Sequence, residues 1–190
     1  MKRVTIGVAV LACALGACSG NGGSGGSIDV SGTVTAVGGG TPPASAKAVV
    51  VWTVDAGQGD HLYKYGEGPA TATSFSVRVD APLPVEATLG GIVSVGIPVL
   101  IPSSASVPNG VVTDPNFVGG VLGIAGQYAI VFRGNAAPTG VSWLDQFSVG
   151  LSCGQCVAAT TGFDGFTPVP CNQMTMQVGP QTAIAVCNWT

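Results

Sequence analysis

This chain contains few charged residues. They make up 8% of its 190 residues, whereas about a quarter is usual for a soluble domain. Only six residues are Lys or Arg, and they are scattered along the sequence. Because phosphate neutralisation requires a basic stripe or patch, the composition argues against nucleic acid as a partner. The same scarcity argues against a polybasic attachment to anionic lipid.

The sequence also lacks an uninterrupted apolar run long enough to cross a bilayer as a helix, which needs about 20 residues. The uncharged stretch 87–113 is interrupted by Pro98, Pro102 and Pro108, and glycines divide the next one, 115–132. The apolar run 4–15 is about a dozen residues long. That length is typical of the apolar region of a secretory signal peptide.

The residues around this N-terminal run complete the pattern of an export signal. Lys2 and Arg3 precede it, and the run ends in the sequence Leu-Gly-Ala-Cys at residues 15–18. This ending resembles the lipobox of bacterial lipoproteins. The resemblance implies that residues 1–17 are removed, that Cys18 carries a diacylglycerol, and that this lipid holds the protein on a membrane. The alternative is an ordinary signal peptide that happens to end in Cys.

The segment 19–27, SGNGGSGGS, follows the proposed lipidation site. A Gly/Ser coil of this length has a root-mean-square span of roughly 15–18 Å, so it predicts a flexible tether. In enteric-type lipoproteins, a non-acidic residue such as Ser19 after the lipidated cysteine implies passage to the outer membrane. The sequence therefore divides into a signal (1–17), a lipidated Cys with its tether (18–27), and one domain (28–190).

The composition of the domain is typical of an all-β fold. The chain contains 30 Gly and 13 Pro together with many Val, Thr and Ser residues, which suits short strands joined by tight turns. Hydrophobic residues alternate with polar ones in several segments, and 49–54 is almost continuously apolar, as in a strand buried on both faces. Strands are predicted at 28–36, 49–54, 74–79, 93–101, 128–132, 141–149, 174–178 and 183–187. Residues 55–68 are expected to form a polar loop. This pattern predicts an antiparallel β-sandwich or a barrel, and the sandwich is favoured.

Two family resemblances agree with this fold class. Residues 28–37 and 49–54, with 75–79 and the Pro-containing 81–84, resemble the opening strands of carboxypeptidase-regulatory or transthyretin-like sandwiches. The whole layout is similar to secreted lipoproteins of unassigned function that are numerous in myxobacteria. The segments that carry this second resemblance are 60–68, 143–150 and the Cys-Gly-Gln-Cys sequence at 153–156, with Cys171 after it. Both resemblances imply an architecture and no activity.

Four cysteines lie within the last forty residues: Cys153, Cys156, Cys171 and Cys187. An even number of cysteines in an exported chain predicts disulfides, here in the C-terminal segment of the domain. Because a bridge between Cys153 and Cys156 would close only a tiny loop, we expect each of these two to pair with Cys171 or Cys187. The alternatives are a redox-active CxxC pair and structural zinc. Neither a second CxxC nor a helical pattern supports them, and no His follows the motif for haem attachment.

His61 is the single histidine of the chain, and it lies beside Asp60. A hydrolase triad with a serine would have to use it, but the sequence contains no G-x-S-x-G motif. Asp55 and Asp60 could offer carboxylates to Ca²⁺, although calcium loops usually contain more acids. Trp52, Tyr63 and Tyr65 could form an aromatic contact patch, and burial in the core is the favoured alternative. We therefore expect no catalytic residues, no metal ligands and no cofactor.

These patterns together predict an exported protein that is anchored by lipid, with a non-enzymatic binding or structural role in the cell envelope. The expected location is the outer membrane of a Gram-negative bacterium. The expected partners are the membrane, through the lipid on Cys18, and an envelope protein or glycan. The competing hypothesis is an envelope enzyme, for which a CxxC thiol oxidoreductase is the most plausible form.

Overall fold

The computed structural model describes residues 27–55, 60–89, 91–112, 117, 120–133, 150–156 and 166–183. In this part of the chain the fold is all-β, which confirms the predicted class. Two 3₁₀ turns, Val85–Ala87 and Gln181–Ala183, accompany the strands. The strands are β1 Ser27–Ala36, β2 Ser45–Asp55, β3 Asp60–Thr71, β4 Ser74–Asp80, β5 Val93–Pro102, β6 Gly110–Val111, β7 Gly123–Ile124, β8 Tyr128–Arg133, β9 Gly150–Cys156, β10 Phe166–Pro168 and β11 Met174–Val178.

Seven of these strands close into a barrel. The hydrogen-bonded order runs β5-β2-β3-β4-β1-β11-β7, and β7 also pairs with β5. The neighbours in this ring are antiparallel except β1 and β11, which are parallel. This closure corrects the predicted sandwich. The physical reason is β7, whose two residues bond to β11 through Gln177 and Val178 and to β5 through Val99 and Leu100, so that no gap separates two sheets.

The remaining strands extend from the barrel. One edge of β5 is shared, because residues 93–96 pair with β8 and residues 99–100 pair with β7. β9 continues outward from β8, and β10 from β9. β6 is a separate short strand that pairs with β3. Within the described residues, no helix has the length and apolarity needed to cross a membrane.

Alternating apolar side chains form the barrel interior, here called the inner cluster. In β4, for example, Phe75, Val77 and Val79 are buried while the residues between them are exposed, as the period-two pattern predicts. The ring strands contribute Ile28, Val30, Val34, Ala46, Ala48, Val50, Trp52, Ala70, Phe75, Val77, Val79, Leu100, Met174, Met176 and Val178. Ile130 and Phe132 of β8 extend the cluster.

A second apolar layer, the outer cluster, lies on the opposite face of β2 and β5. It contains Val49, Val51, Val99, Ile101 and Phe117, and residues of the 105–112 and 121–124 segments pack against it. The two clusters bury β2 on both faces, which confirms its prediction as a central strand. The segment 55–68, predicted as a loop, is instead mostly the strand β3.

The side chain of Trp52, on β2, packs against the backbone of β5. This side chain is fully buried, and Trp52 lies directly opposite Gly96 across the strand pair. A Cβ atom at position 96 would lie 2.7 Å from Cε3 of the indole ring. Glycine is therefore required there because the ring covers the backbone of β5.

Candidate functional site

A β-bulge in β3 lies at a polar recess in the described part of the chain. Val49 pairs with Glu67 and Val51 pairs with Lys64, so that two β3 residues, 65 and 66, oppose the single residue between the two valines. Gly66 has a φ of 105°, a conformation that favours glycine. Such bulges bend a strand and redirect its side chains.

The bulge coincides with a change of partner strand. On one side of it, Lys64 pairs with Gly110 of β6. On the other side, Glu67 pairs with Arg78 of β4. Because β4 and β6 do not meet at this point of the sheet, a recess of about 370 Å³ opens between them. We call it the charged cleft, and it is lined by Lys64, Tyr65, Gly66, Glu67, Arg78, Asp80 and Asn109.

Lys64 is the buried anchor of the cleft. Its side chain is only 4% exposed. Its ammonium donates hydrogen bonds to Oε2 of Glu67 at 2.8 Å and to Oδ1 of Asn109 at 3.0 Å. An ammonium group is buried in proteins only when it is paired in this way. These bonds therefore fix the position of the segment around Asn109 relative to β3.

Glu67 joins two lysines. Its Oε1 accepts an ion pair from Lys47 Nζ at 3.1 Å, while Oε2 bonds to Lys64. The hydrogen bond from Lys64 is the main cause that holds the pKa of Glu67 below its usual range, and Lys47 adds to the effect. Glu67 is therefore a carboxylate at neutral pH, which matches the charge of its two partners.

Arg78 and Asp80 form the exposed wall of the cleft. Nε of Arg78 donates to Oδ1 of Asp80 at 3.2 Å, and both side chains are more than 60% exposed. Burial is the main cause that raises the pKa of Tyr65, and Asp80 and Tyr63 raise it further. The phenol of Tyr65 therefore keeps its proton and can donate a hydrogen bond.

A hydrogen bond connects the cleft to the inner cluster. The indole Nε1 of Trp52 donates to the backbone carbonyl of Tyr65 at 2.9 Å. This carbonyl belongs to the bulge, so the fully buried Trp52 holds the bulge in place. Trp52 is buried, as the favoured prediction states, and the half-buried Tyr63 and Tyr65 pack against the inner cluster.

None of the charged residues of the cleft was identified as a site from the sequence alone. The available signal was the scarcity of charge. Beyond residue 17 the chain has only four cations. Two of them, Lys64 and Arg78, line this cleft, and a third, Lys47, pairs with Glu67 of the cleft. The sequence does not show that these residues form one site, because residues of the cleft such as Asn109 and Lys64 are as many as 45 positions apart.

The acidic and histidine residues that the sequence singled out lie at the end of the β2–β3 hairpin. Asp55 is paired with Asp60, and Val54 with His61. The side chains of Asp55, Asp60 and His61 lie outside what the structure describes. Within the described residues, no group of three or more His, Cys, Asp or Glu side chains could hold a metal ion. The pairing sets Asp55 directly opposite Asp60 across the hairpin. Because their side chains are outside the described part, the calcium and triad hypotheses stay untested.

The cysteine predictions fall partly on described residues. Cys153 and Cys156 lie in the extended strand β9, where three residue steps separate Cα atoms by about 10 Å. A disulfide spans at most about 7 Å between Cα atoms, so this backbone opposes a direct bridge. Cys171 is buried and disulfide-bonded, and its partner is not among the described side chains. Cys187 and the lipidation site Cys18 lie outside the described residues.

An apolar recess lies beside the charged cleft. It has a volume of about 440 Å³ and borders the outer cluster, and its lining residues include Ile101, Val107, Val111 and Phe117. Val111 is 51% exposed. The short segment around β6 separates this recess from the charged cleft, because Val111 lines one and Asn109 lines the other.

A scan against protein-family models found no match, and searches of curated proteins and of solved structures found no similar chain. The resemblances to lipoproteins and to transthyretin-like domains therefore remain hypotheses. The functional interpretation rests on the residues of the chain and on the geometry of its two recesses.

Proposed function

We propose that this protein is an exported, lipid-anchored protein of the bacterial cell envelope, and that its β-barrel binds a ligand at the charged cleft. The observation that carries the binding role is the concentration of charge. In a chain with so few charged residues, two cations and two carboxylates line one recess, and a third cation, Lys47, is paired with Glu67. Convergent polar groups in a recess are a feature of ligand sites, so this convergence favours a recognition site.

The anchor in this proposal is the lipid on Cys18. Lys2 and Arg3, the short apolar run and the lipobox-like ending support it. The tether 19–27 would separate the domain from the bilayer without fixing its orientation. An outer-membrane location follows from the resemblance at Ser19.

A non-enzymatic role accounts better for the described residues than the competing thiol oxidoreductase does. A reactive CxxC pair requires a cysteine whose thiol pKa is lowered, typically at the start of a helix. The backbone of the Cys153–Cys156 segment is a strand paired on both sides, to β8 and to β10. In the charged cleft, Lys64 and Glu67 neutralise each other, an arrangement that suits binding.

The binding role is tested by co-sedimentation of the full-length protein with envelopes extracted with detergent, from which the bilayer has been removed. We expect the native protein to sediment with them and the double variant Arg78→Ala/Asp80→Ala to remain in solution. Glu86→Gln is the matched control, because Glu86 is exposed and does not line the cleft. Equal sedimentation of all three proteins would show that the cleft has no binding role.

The anchor is tested separately with Cys18→Ser. We expect this variant to accumulate as the precursor or to be released into the soluble fraction, because acyl chains contribute about 0.8 kcal/mol per buried methylene. Metabolic labelling with an alkyne fatty acid should mark the native chain and leave the variant unlabelled. A processed variant that stays tightly bound to membranes would contradict the lipid anchor.

A further inference from the structure

Four side chains of the charged cleft have unused hydrogen-bonding capacity. Within the described residues, Arg78 uses only Nε, and Asp80 uses only Oδ1. Asn109 accepts from Lys64 through Oδ1, so its amide nitrogen remains available as a donor. The hydroxyl of Tyr65 has no hydrogen-bond partner in the described part. Bonds on their other edge hold Arg78, Asp80 and Asn109, and packing against the inner cluster holds Tyr65, so the recess presents both donors and acceptors in defined positions.

The charges around the cleft balance one another. Glu67 is shared by Lys47 and Lys64, and Arg78 is bonded to Asp80. Asp29 of β1 is the direct cross-strand neighbour of Arg78. Three cations thus face three carboxylates, and no net charge is left to attract an ion. An anionic ligand would gain little here, because a carboxylate already accompanies each cation.

A ligand that fits this arrangement must both donate and accept hydrogen bonds and must carry no net charge. Neighbouring hydroxyl groups of a sugar meet both conditions: a carboxylate accepts from them, while guanidinium and amide N–H groups donate to them. The volume of about 370 Å³ lies within the range of about 300–1,000 Å³ that is typical of small-molecule sites. It is sufficient for a short stretch of sugar units.

We propose that the charged cleft binds a neutral glycan, with Arg78, Asp80, Asn109 and Tyr65 as the residues that contact its hydroxyl groups. The buried Lys64–Glu67 pair holds Asn109 and the bulge in position and does not need to touch the sugar. This inference rests on the proposed binding function and specifies its ligand class.

The test uses the full-length protein in detergent on an array of neutral oligosaccharides, together with the same glycans bearing uronic acids or phosphate. The strongest neutral glycan is then titrated by calorimetry. We expect binding that changes less than about twofold between 50 and 500 mM NaCl, because no charge is neutralised. Inorganic phosphate should not compete with the glycan.

Arg78→Met and Asp80→Asn should each weaken this binding by about tenfold or more, since hydrogen bonds to charged groups are strong. Glu86→Gln should bind as the native chain does. Both cleft residues are exposed, so all three variants should melt as the native protein does.

Three results would overturn the inference. The first is the absence of binding to any neutral glycan, and the second is tighter binding of the anionic glycans with a steep dependence on salt. The third is unchanged binding in both cleft variants. If the native protein sediments with envelopes through the cleft but binds no arrayed neutral glycan, the ligand class is wrong and the proposed binding function stands. If it does neither, both are wrong.

Discussion

The inner cluster and the charged cleft are built on the same strands, but they are organised in opposite ways. In β4, Val77 enters the inner cluster and its neighbour Arg78 lines the cleft. The cluster is buried and apolar, and every ring strand that contributes to it is hydrogen-bonded to two neighbouring strands. The cleft opens where β3 changes its partner. The continuous part of the barrel therefore stabilises the fold, while the recess at the bulge of β3 is available for binding.

The sharpest test of this division compares two neighbouring residues of β4. Val77→Asp should unfold the domain, because an unpaired buried charge costs several kcal/mol against a total stability of roughly 5–15 kcal/mol. Ser76→Asp, on the exposed face of the same strand, should change stability by less than about 0.5 kcal/mol. Circular dichroism melting curves measure both. Equal melting temperatures would contradict the assignment of the barrel interior.

The next largest effect concerns the close contact between β2 and β5. Gly96→Val should destabilise the domain by about 1–3 kcal/mol, because the added side chain must displace the indole ring of Trp52. Trp52 fluorescence should report the displacement. Ser76→Val is the control, because Ser76 lies on the exposed face of β4 and valine is favoured in strands. An effect at position 96 no larger than the effect at position 76 would contradict the contact.

Within the cleft, the two lysines that share Glu67 should differ. Lys64→Met removes a buried ammonium and leaves Asn109 without its donor, so we expect a loss of about 1–3 kcal/mol. Lys47→Met removes a more exposed partner and should cost at most about 1 kcal/mol. Denaturant titration measures both variants. A larger loss of stability in Lys47→Met than in Lys64→Met would contradict the role of Lys64 as the buried anchor of the cleft.

The pH dependence of stability should carry two contributions from the cleft. The pKa of Glu67 is lowered from 4.5, so its contribution is present above pH 4.5 and is lost as the pH falls through the folded pKa. The pKa of Tyr65 is raised from 10.0, so its contribution is present below pH 10 and is lost as the pH rises through the folded pKa.

Glu67→Gln should flatten the acid limb of a plot of melting temperature against pH, and Tyr65→Phe should flatten the alkaline limb. If each variant retained the native slope in its own limb, the cleft would not be the origin of these limbs.

The sequence predicted the strands better than it predicted their arrangement. Alternation identifies which residues of β1 and β4 face the core, although Ala36 is exposed where the pattern places it inside. Closure could not be predicted, because it depends on β7, a strand of two residues. The sequence predicts a polar loop at 55–68, where most of β3 lies, and glycines such as Gly66 and Gly68, which usually interrupt strands, conceal the strand.

The cleft was beyond prediction for the same reason. It depends on the bulge and on a partner change that brings together β3, β4 and the segment before β6. Only pairing in three dimensions places Asn109 against Lys64. Composition could have directed attention to the few cations, but it could not show that three of them share a site.

The parallel pairing of β1 with β11 has a consequence for the timing of folding. It joins residues about 140 positions apart, as in the bond from Thr35 Oγ1 to the carbonyl of Met176. A chain that emerges amino end first, from a ribosome or through a translocation pore, cannot complete the ring until its last barrel strand is free. Contacts of such long range make folding slow. During that delay β1 keeps an unsatisfied edge, where an escorting chaperone could bind or a neighbouring copy could aggregate.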